Sequence, residues 1–129
     1  MTRFKNVIVL IADGVPNKTG DIINIECVKI PDKLVFINPA FERKEVIGEG
    51  RLKIKGNNVL FSGKFYQKMP IELLETSYFA IVGKVLKRES SNRKKILACE
   101  VESIGLVDNN TDSRIPTIVK KKEEEVDEA

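Results

Sequence analysis

Turn residues divide this chain into short apolar segments, and that division limits the folds open to it. Glycine, proline and asparagine mark turns or loops at 13–21, 38–39, 56–58 and 108–116. The apolar runs between them are rich in β-branched residues, which is typical of strands. The run at Val7–Ala12 is far too short to cross a bilayer as a helix. We therefore expect a small β-rich domain without a membrane segment.

The segment GRLKIKG, residues 50–56, has the clearest strand pattern. Leu52 and Ile54 alternate with basic residues, which predicts a half-buried antiparallel strand. The turn at 56–58 leads into VLFSGKFY, residues 59–66, as its hairpin partner. The remaining predicted strands cover residues 7–12, 22–30, 34–37, 79–89 and 96–107.

The segment PIELLETSY, residues 70–78, is the one strong helix candidate. Pro70 suits the first helical position, and Glu72 suits the positive end of the helix dipole. The predicted fold class is mostly β (α+β), a small antiparallel β-barrel or sandwich of about seven strands with one or two helices. We expect residues 1–118 to form one domain and residues 119–129 to form a charged C-terminal tail, weakly helical or mobile.

Histidine is absent from the chain. Histidine is the usual general base near neutral pH, so its absence excludes Ser-His and Cys-His hydrolases and most transition-metal enzymes. Cys27 and Cys99 cannot by themselves complete a four-ligand zinc site. We predict that both are small buried hydrophobic residues, and we expect no metal and no cofactor.

Residues 84–95, KVLKRESSNRKK, contain six basic side chains and one acidic one. Such a hairpin can contact an acidic protein surface or nucleic acid. It lacks the aromatic side chains on which bases stack, which disfavours nucleic acid. Ser90 and Ser91 leave Ser-Lys hydrolysis open, although a catalytic lysine has to be buried to lower its pKa. The candidate partner-contact residues are Lys84, Lys87, Arg88, Arg93, Lys94 and Lys95.

Four motifs follow one another along the chain. They are NKTGDII at 17–23, FINPAFERKEVIGEGRLKIKGNNVLFSGKF at 36–65, YFAIVGKVLKRE at 78–89 and SIGLVDNNTDSRIP at 103–116. In their order and spacing they resemble the tailed-phage prohead proteases, serine proteases of capsid maturation that are related to herpesvirus assemblins. The resemblance covers roughly residues 7–117 and implies a protease-like β fold.

The same alignment replaces the residues on which the family's chemistry depends. Pro39 takes the position of the catalytic histidine, Ala80 that of the nucleophilic serine, and Ser103 that of the acidic third member, with Glu102 adjacent. Proline cannot accept a proton and alanine has no nucleophile, so acyl transfer is not expected. The resemblance thus predicts a non-enzyme in which Pro39, Ala80 and Ser103 lie within one side-chain cluster.

A protease scaffold without its chemistry can still recognise capsid proteins. The resemblance implies a bacteriophage structural protein that binds the capsid lattice as a decoration or minor head protein. Its expected partner is the major capsid protein, with possible self-association on the capsid and no membrane contact, and its expected location is the virion after synthesis in the bacterial cytoplasm. The alternatives are a transient capsid-assembly factor and a nucleic-acid-binding β-barrel that uses residues 84–95.

Overall fold

The computed structural model describes residues 1–40, 42 and 44–120 of the 129-residue chain. Within these residues the secondary structure is mostly β, with one short α-helix and one 3-10 turn at Ile25–Cys27. The strands are β1 (Thr2–Ile11), β2 (Ile22–Ile23), β3 (Val28–Lys29), β4 (Val35–Pro39), β5 (Gly48–Lys55), β6 (Asn58–Phe65), β7 (Tyr78–Arg88) and β8 (Lys95–Val107), and the helix is α1 (Ile71–Leu74).

These strands form a single curled sheet with the shape of a half-barrel. From one edge, the order is β1, β6, β5, β4 and β8. Strand β7 pairs antiparallel with one edge of β8, while β2, β3 and β4 follow one another in parallel along its other edge. Strands β1 and β7 then come into contact at the two ends of the curl.

The predicted mostly β (α+β) fold with one or two helices is confirmed. Strands β5 and β6 form the predicted hairpin, with Gly56 in its turn at a φ of +60°. Leu52 is buried as its alternation requires, but Ile54 is exposed near the end of β5. The sheet is mixed, because the ladders that join β8 to β2, β3 and β4 are parallel.

The single strand predicted at 22–30 is divided into β2, the 3-10 turn and β3. Asn24 lies at the division, where it bridges to Asp13 and its carbonyl accepts a hydrogen bond from the Cys27 amide at 2.9 Å. Asparagine favours such turns over a continuous strand. Cys27 and Cys99 are both only partly buried, which corrects the expectation that the fold encloses them completely.

Helix α1 is shorter than the segment predicted at 70–78. Pro70 is the residue that precedes the helix rather than its first residue. The Thr76 hydroxyl lies within hydrogen-bonding distance of the Glu72 and Leu73 carbonyls, a local bond that competes with further helix. The Val119 amide donates to the Leu74 carbonyl, which ties the end of the described chain to the helix. Residues 121–129, most of the predicted tail, lie outside the described residues.

Four phenylalanine rings form the densest part of the core. Phe4 comes from β1, Phe61 and Phe65 from β6, and Phe79 from β7, with ring centroids 4.9 to 5.9 Å apart. Each fully buried ring contributes about 1.5–3 kcal/mol through loss of water contact. Since the rings of Phe4 and Phe79 join β1 to β7, aromatic packing holds together the two ends of the curl.

Candidate functional site

Ala80 lies opposite Gly105, and Asn38 lies opposite the same glycine on the other side of β8. Asn38, Gly105 and Ala80 therefore form one row across three neighbouring strands. The row needs glycine at its centre, because a Cβ at position 105 would lie 2.3 Å from the Ala40 carbonyl oxygen. The glycine lets the end of β4 approach β8 closely, and it positions Asn38 beside Ala80.

Ser103 shares the face of Ala80, whereas Pro39 does not. Ser103 pairs with Val82, two residues along β7 from Ala80, so both side chains lie on the same side of the sheet. Pro39 pairs with Leu106, one row further along β4, and alternation turns it to the opposite face. The prediction that all three residues lie within one side-chain cluster is therefore wrong, because the register gives Asn38 the place in the row that the alignment gave to Pro39.

Glu102, the alternative third member, is the bulged residue of β8. Gly83 pairs with Val101 and Val82 with Ser103, so no residue of β7 is matched to Glu102. A bulge redirects the side chains that follow it along the strand. This bulge is what turns Ser103 and Gly105 to the face of Ala80.

Asn38 cannot supply the missing general base. Its side chain is 3% exposed, and its amide nitrogen donates to the Glu45 carbonyl at 2.5 Å. An amide does not take up a proton near neutral pH. The row thus holds an amide, a glycine and a methyl group, and none of these can carry out acyl transfer.

A wide depression adjoins this row, and we call it the Ala80 depression. Its volume is about 610 Å³, and it lies between α1 and the loop after β8. Ser77 is buried beside it, and Asp108 is its one ionisable side chain among the lining residues that the structure describes. The remaining lining residues are Ala40, Leu73, Ala80, Leu106, Val107, Asn109, Asn110 and Thr111. The depression therefore has an apolar floor and a neutral polar rim with one carboxylate.

Three of the six predicted partner-contact residues bind the protein's own atoms. Arg88 forms an ion pair with Asp21 at 3.0 Å, Lys94 donates to the Thr19 carbonyl at 3.0 Å, and Lys95 pairs at 3.5 Å with an acid of the same hairpin. Burial acts to raise the pKa of Asp21, but hydrogen bonds from Arg88 and Thr19 lower it overall. Arg88 and Lys94 stabilise the packing of the 13–21 loop on the hairpin, whereas the Lys95 pair lies within the hairpin.

The other three predicted contact residues remain available to a partner. Lys84, Lys87 and Arg93 are exposed, and no ion pair to them is present among residues 1–40, 42 and 44–120. The hairpin's accessible positive charge is thus smaller than its composition indicates.

Sequence reasoning missed an arginine clamp at Arg114. Its guanidinium donates to both carboxylate oxygens of Asp13, at 2.6 and 3.1 Å, and to both of Asp112, at 3.1 and 2.9 Å. These hydrogen bonds lower the pKa of Asp13 and of Asp112, and they raise that of Arg114. The clamp fixes the loop after β1 to the loop after β8, which forms the rim of the Ala80 depression. No local motif indicates it, because Asp13 and Arg114 are 101 positions apart.

No group of three or more potential metal-ligating side chains is found in the part of the chain that the structure describes. The same part contains no helix long and apolar enough to cross a membrane.

No protein-family model matches the chain, and neither curated proteins nor solved structures give a match. The resemblance to the prohead proteases therefore rests on the four motifs alone and stays a prediction.

Proposed function

We propose that this protein is a non-enzymatic structural protein of a bacteriophage that docks on the capsid lattice through the Ala80 depression. The observation that carries the proposal is the depression itself, which has a methyl group at the position where the resemblance implies a nucleophile. Its apolar floor and polar rim match the usual anatomy of a protein interface. Leu73 is 41% exposed at its edge, so the apolar surface continues onto α1.

A lattice makes a site of this size useful. A single depression of about 610 Å³ accommodates a short segment of a partner and supports modest affinity by itself. A capsid presents the same segment many times, so many copies of the protein bind along one surface, and self-association between neighbours increases the avidity. The major capsid protein is the partner that meets this requirement.

The chemistry of the row beside the depression supports the proposal that the protein is not an enzyme. Asn38 and Ala80 provide neither base nor nucleophile, and Ser77 has no lysine or arginine among the described residues that line the depression with it. A serine-reactive fluorophosphonate should label neither the native protein nor Ala80→Ser, because the introduced hydroxyl would have no base to activate it. Labelling of either protein that is lost on denaturation would contradict the proposal.

The docking test uses two substitutions on one helix. Leu73→Asp places a charge at the edge of the depression, whereas Ile71→Asp places the same charge at a 53% exposed position that does not line it. Purified heads of the encoding phage, lacking this protein, are mixed with each variant and sedimented. We expect the native protein and Ile71→Asp to sediment with the heads and Leu73→Asp to remain in solution.

Electron cryo-microscopy of the same particles should show ordered copies at equivalent lattice positions. Absence of the native protein from mature heads would rule out a decoration role, and its presence on immature heads alone would identify the transient assembly factor. Retention of nucleic acid at low salt, lost steeply as salt rises, would instead favour the nucleic-acid-binding barrel. In that case, the exposed residues Lys84, Lys87 and Arg93 would be the first to replace with glutamate, which reverses their charge.

A further inference from the structure

A second cavity lies inside the half-barrel, on the opposite side of the sheet from the Ala80 depression. Its volume is about 190 Å³. Val9 and Leu10 of β1 line one wall, and Ile81 and Val85 of β7 line another, so it lies further along both strands than the phenylalanine cluster. The aromatic rings fill one end of the half-barrel, while the smaller aliphatic side chains at this end leave space.

The walls of this cavity are apolar. On β8 they include Ile96, Cys99 and Val101, and the last two pair with Val85 and Gly83 of β7. Lys84 and Glu100 border the cavity as well. They lie opposite each other on β7 and β8, between the Gly83–Val101 and Val85–Cys99 pairs, so alternation turns their side chains to the other face of the sheet. No charged side chain is therefore directed into the cavity by these two strands.

Two neutral polar residues, Asn17 and Thr111, also line the cavity. The side-chain oxygen of Asn17 accepts hydrogen bonds from the Thr19 and Asp21 amides, both at 3.0 Å. Its side-chain nitrogen has no acceptor among the residues that the structure describes. An amide donor and a hydroxyl are suited to a ligand that carries one neutral hydrogen-bonding group.

We propose that this cavity binds a small uncharged molecule with a single-ring apolar body and one hydroxyl or carbonyl group. The size follows from comparison with an apolar protein cavity of about 150 Å³ that binds benzene. The neutrality follows from the walls, since an anion or a cation would lose its water without gaining a partner. The proposal concerns a different face of the sheet from the docking site, shares Thr111 with its lining and does not depend on it.

Benzyl alcohol and benzoate make a matched pair of probes, because they have the same ring and differ in charge. In an NMR titration at neutral pH, benzyl alcohol should cause saturable shifts of the amides of Val85, Cys99 and Val101. Benzoate should bind about tenfold more weakly or worse, a difference of one decade in the dissociation constant. Equal responses to both probes, or shifts that do not saturate, would overturn the proposal.

Two adjacent residues of β7 provide the matched variants. Val85 lines the cavity and is 46% exposed at its mouth, whereas Leu86 is the bulged residue beside it, is 57% exposed and does not line the cavity. Val85→Trp should block the entrance and weaken benzyl alcohol binding about tenfold or more. Leu86→Trp should leave it unchanged. Equal affinity in the two variants would refute the assignment.

Cys99 provides an independent measurement that needs no bulky substitution. Burial raises the pKa of its thiol, with a further contribution from nearby Cys27, so alkylation is followed at mildly alkaline pH. In Cys27→Ser, Cys99 is the one remaining cysteine. Bound benzyl alcohol should slow its alkylation by the factor one plus the ligand concentration over the dissociation constant. An unchanged alkylation rate at the highest soluble concentration of benzyl alcohol would overturn the proposal. This measurement decides the question even if the Val85→Trp variant does not fold.

Discussion

Gly105→Ala is the most direct test of how the row beside the Ala80 depression is built. The added Cβ would lie 2.3 Å from the Ala40 carbonyl oxygen, whereas ordinary contact begins near 3.4 Å. The end of β4 must therefore move away from β8 by about 1 Å, the difference between these two distances. That movement would stretch the 2.7 Å hydrogen bond from the Ala40 amide to the Leu106 carbonyl beyond a useful length.

The size of the effect follows from three contributions. Overpacking costs about 1–3 kcal/mol, and the lost hydrogen bond costs about 1 kcal/mol. Replacing glycine by alanine restricts the unfolded chain and returns about 0.4–1 kcal/mol. We therefore expect the free energy of unfolding to fall by about 1–3.5 kcal/mol, a substantial part of the 5–15 kcal/mol typical of a domain.

Urea unfolding followed by circular dichroism measures this change. With a slope of about 1–3 kcal/mol per molar urea, the midpoint should fall by roughly 1 M while the slope stays constant. Gly56→Ala is the control, because a Cβ there meets nothing within 4 Å and reports only the strain of a φ of +60°. A change of less than about 0.5 kcal/mol for Gly105→Ala, the range of an ordinary surface substitution, would refute the close approach of β4 to β8.

Three further outcomes are expected. The pKa values of Asp13 and Asp112 are lowered in the folded protein, so the ionised form of each carboxylate stabilises the fold. This contribution should be fully present above the usual pKa of 3.8 and should be lost as the pH falls through the lowered values. Acid unfolding followed by circular dichroism measures the loss. Arg114→Gln should lower stability at neutral pH and weaken that acid dependence, whereas Arg51→Gln, an exposed arginine, should do neither. Phe79→Ala should cost about 3–5 kcal/mol in urea unfolding, and a loss below 1 kcal/mol would contradict the packing of Phe79 between β1 and β7.

Local patterns predicted the parts of the fold that depend on neighbouring residues. The β5–β6 hairpin was predictable because alternation at 50–56 and the turn at Gly56 act within a few positions. The helix was predictable in place but not in length. Leu74 is its one buried residue, so little apolar surface favours a second turn, and Thr76 ends it with a bond to its own backbone.

Long-range pairing could not be predicted in the same way. Nothing in the sequence near β2, β3 or β4 specifies that all three lie in parallel along one edge of β8. The same holds for the arginine clamp, which joins Asp13 to Arg114 across most of the chain. It also holds for the row beside Ala80, where the alignment chose Pro39 and the register places Asn38. The alignment chose residues on β4 and β7, which both pair with β8, but a one-residue difference reverses the face of a strand residue.

The bulge at Glu102 explains how one strand can contribute to two separate sites. Before it, Cys99 and Val101 point into the half-barrel and line the inner cavity. After it, Ser103 and Gly105 point to the outer face beside the Ala80 depression, although all four positions are odd-numbered. A regular strand would have placed all four on one face. The inserted residue therefore separates the two surfaces, so that a ligand in the cavity and a partner on the depression contact opposite sides of the same sheet.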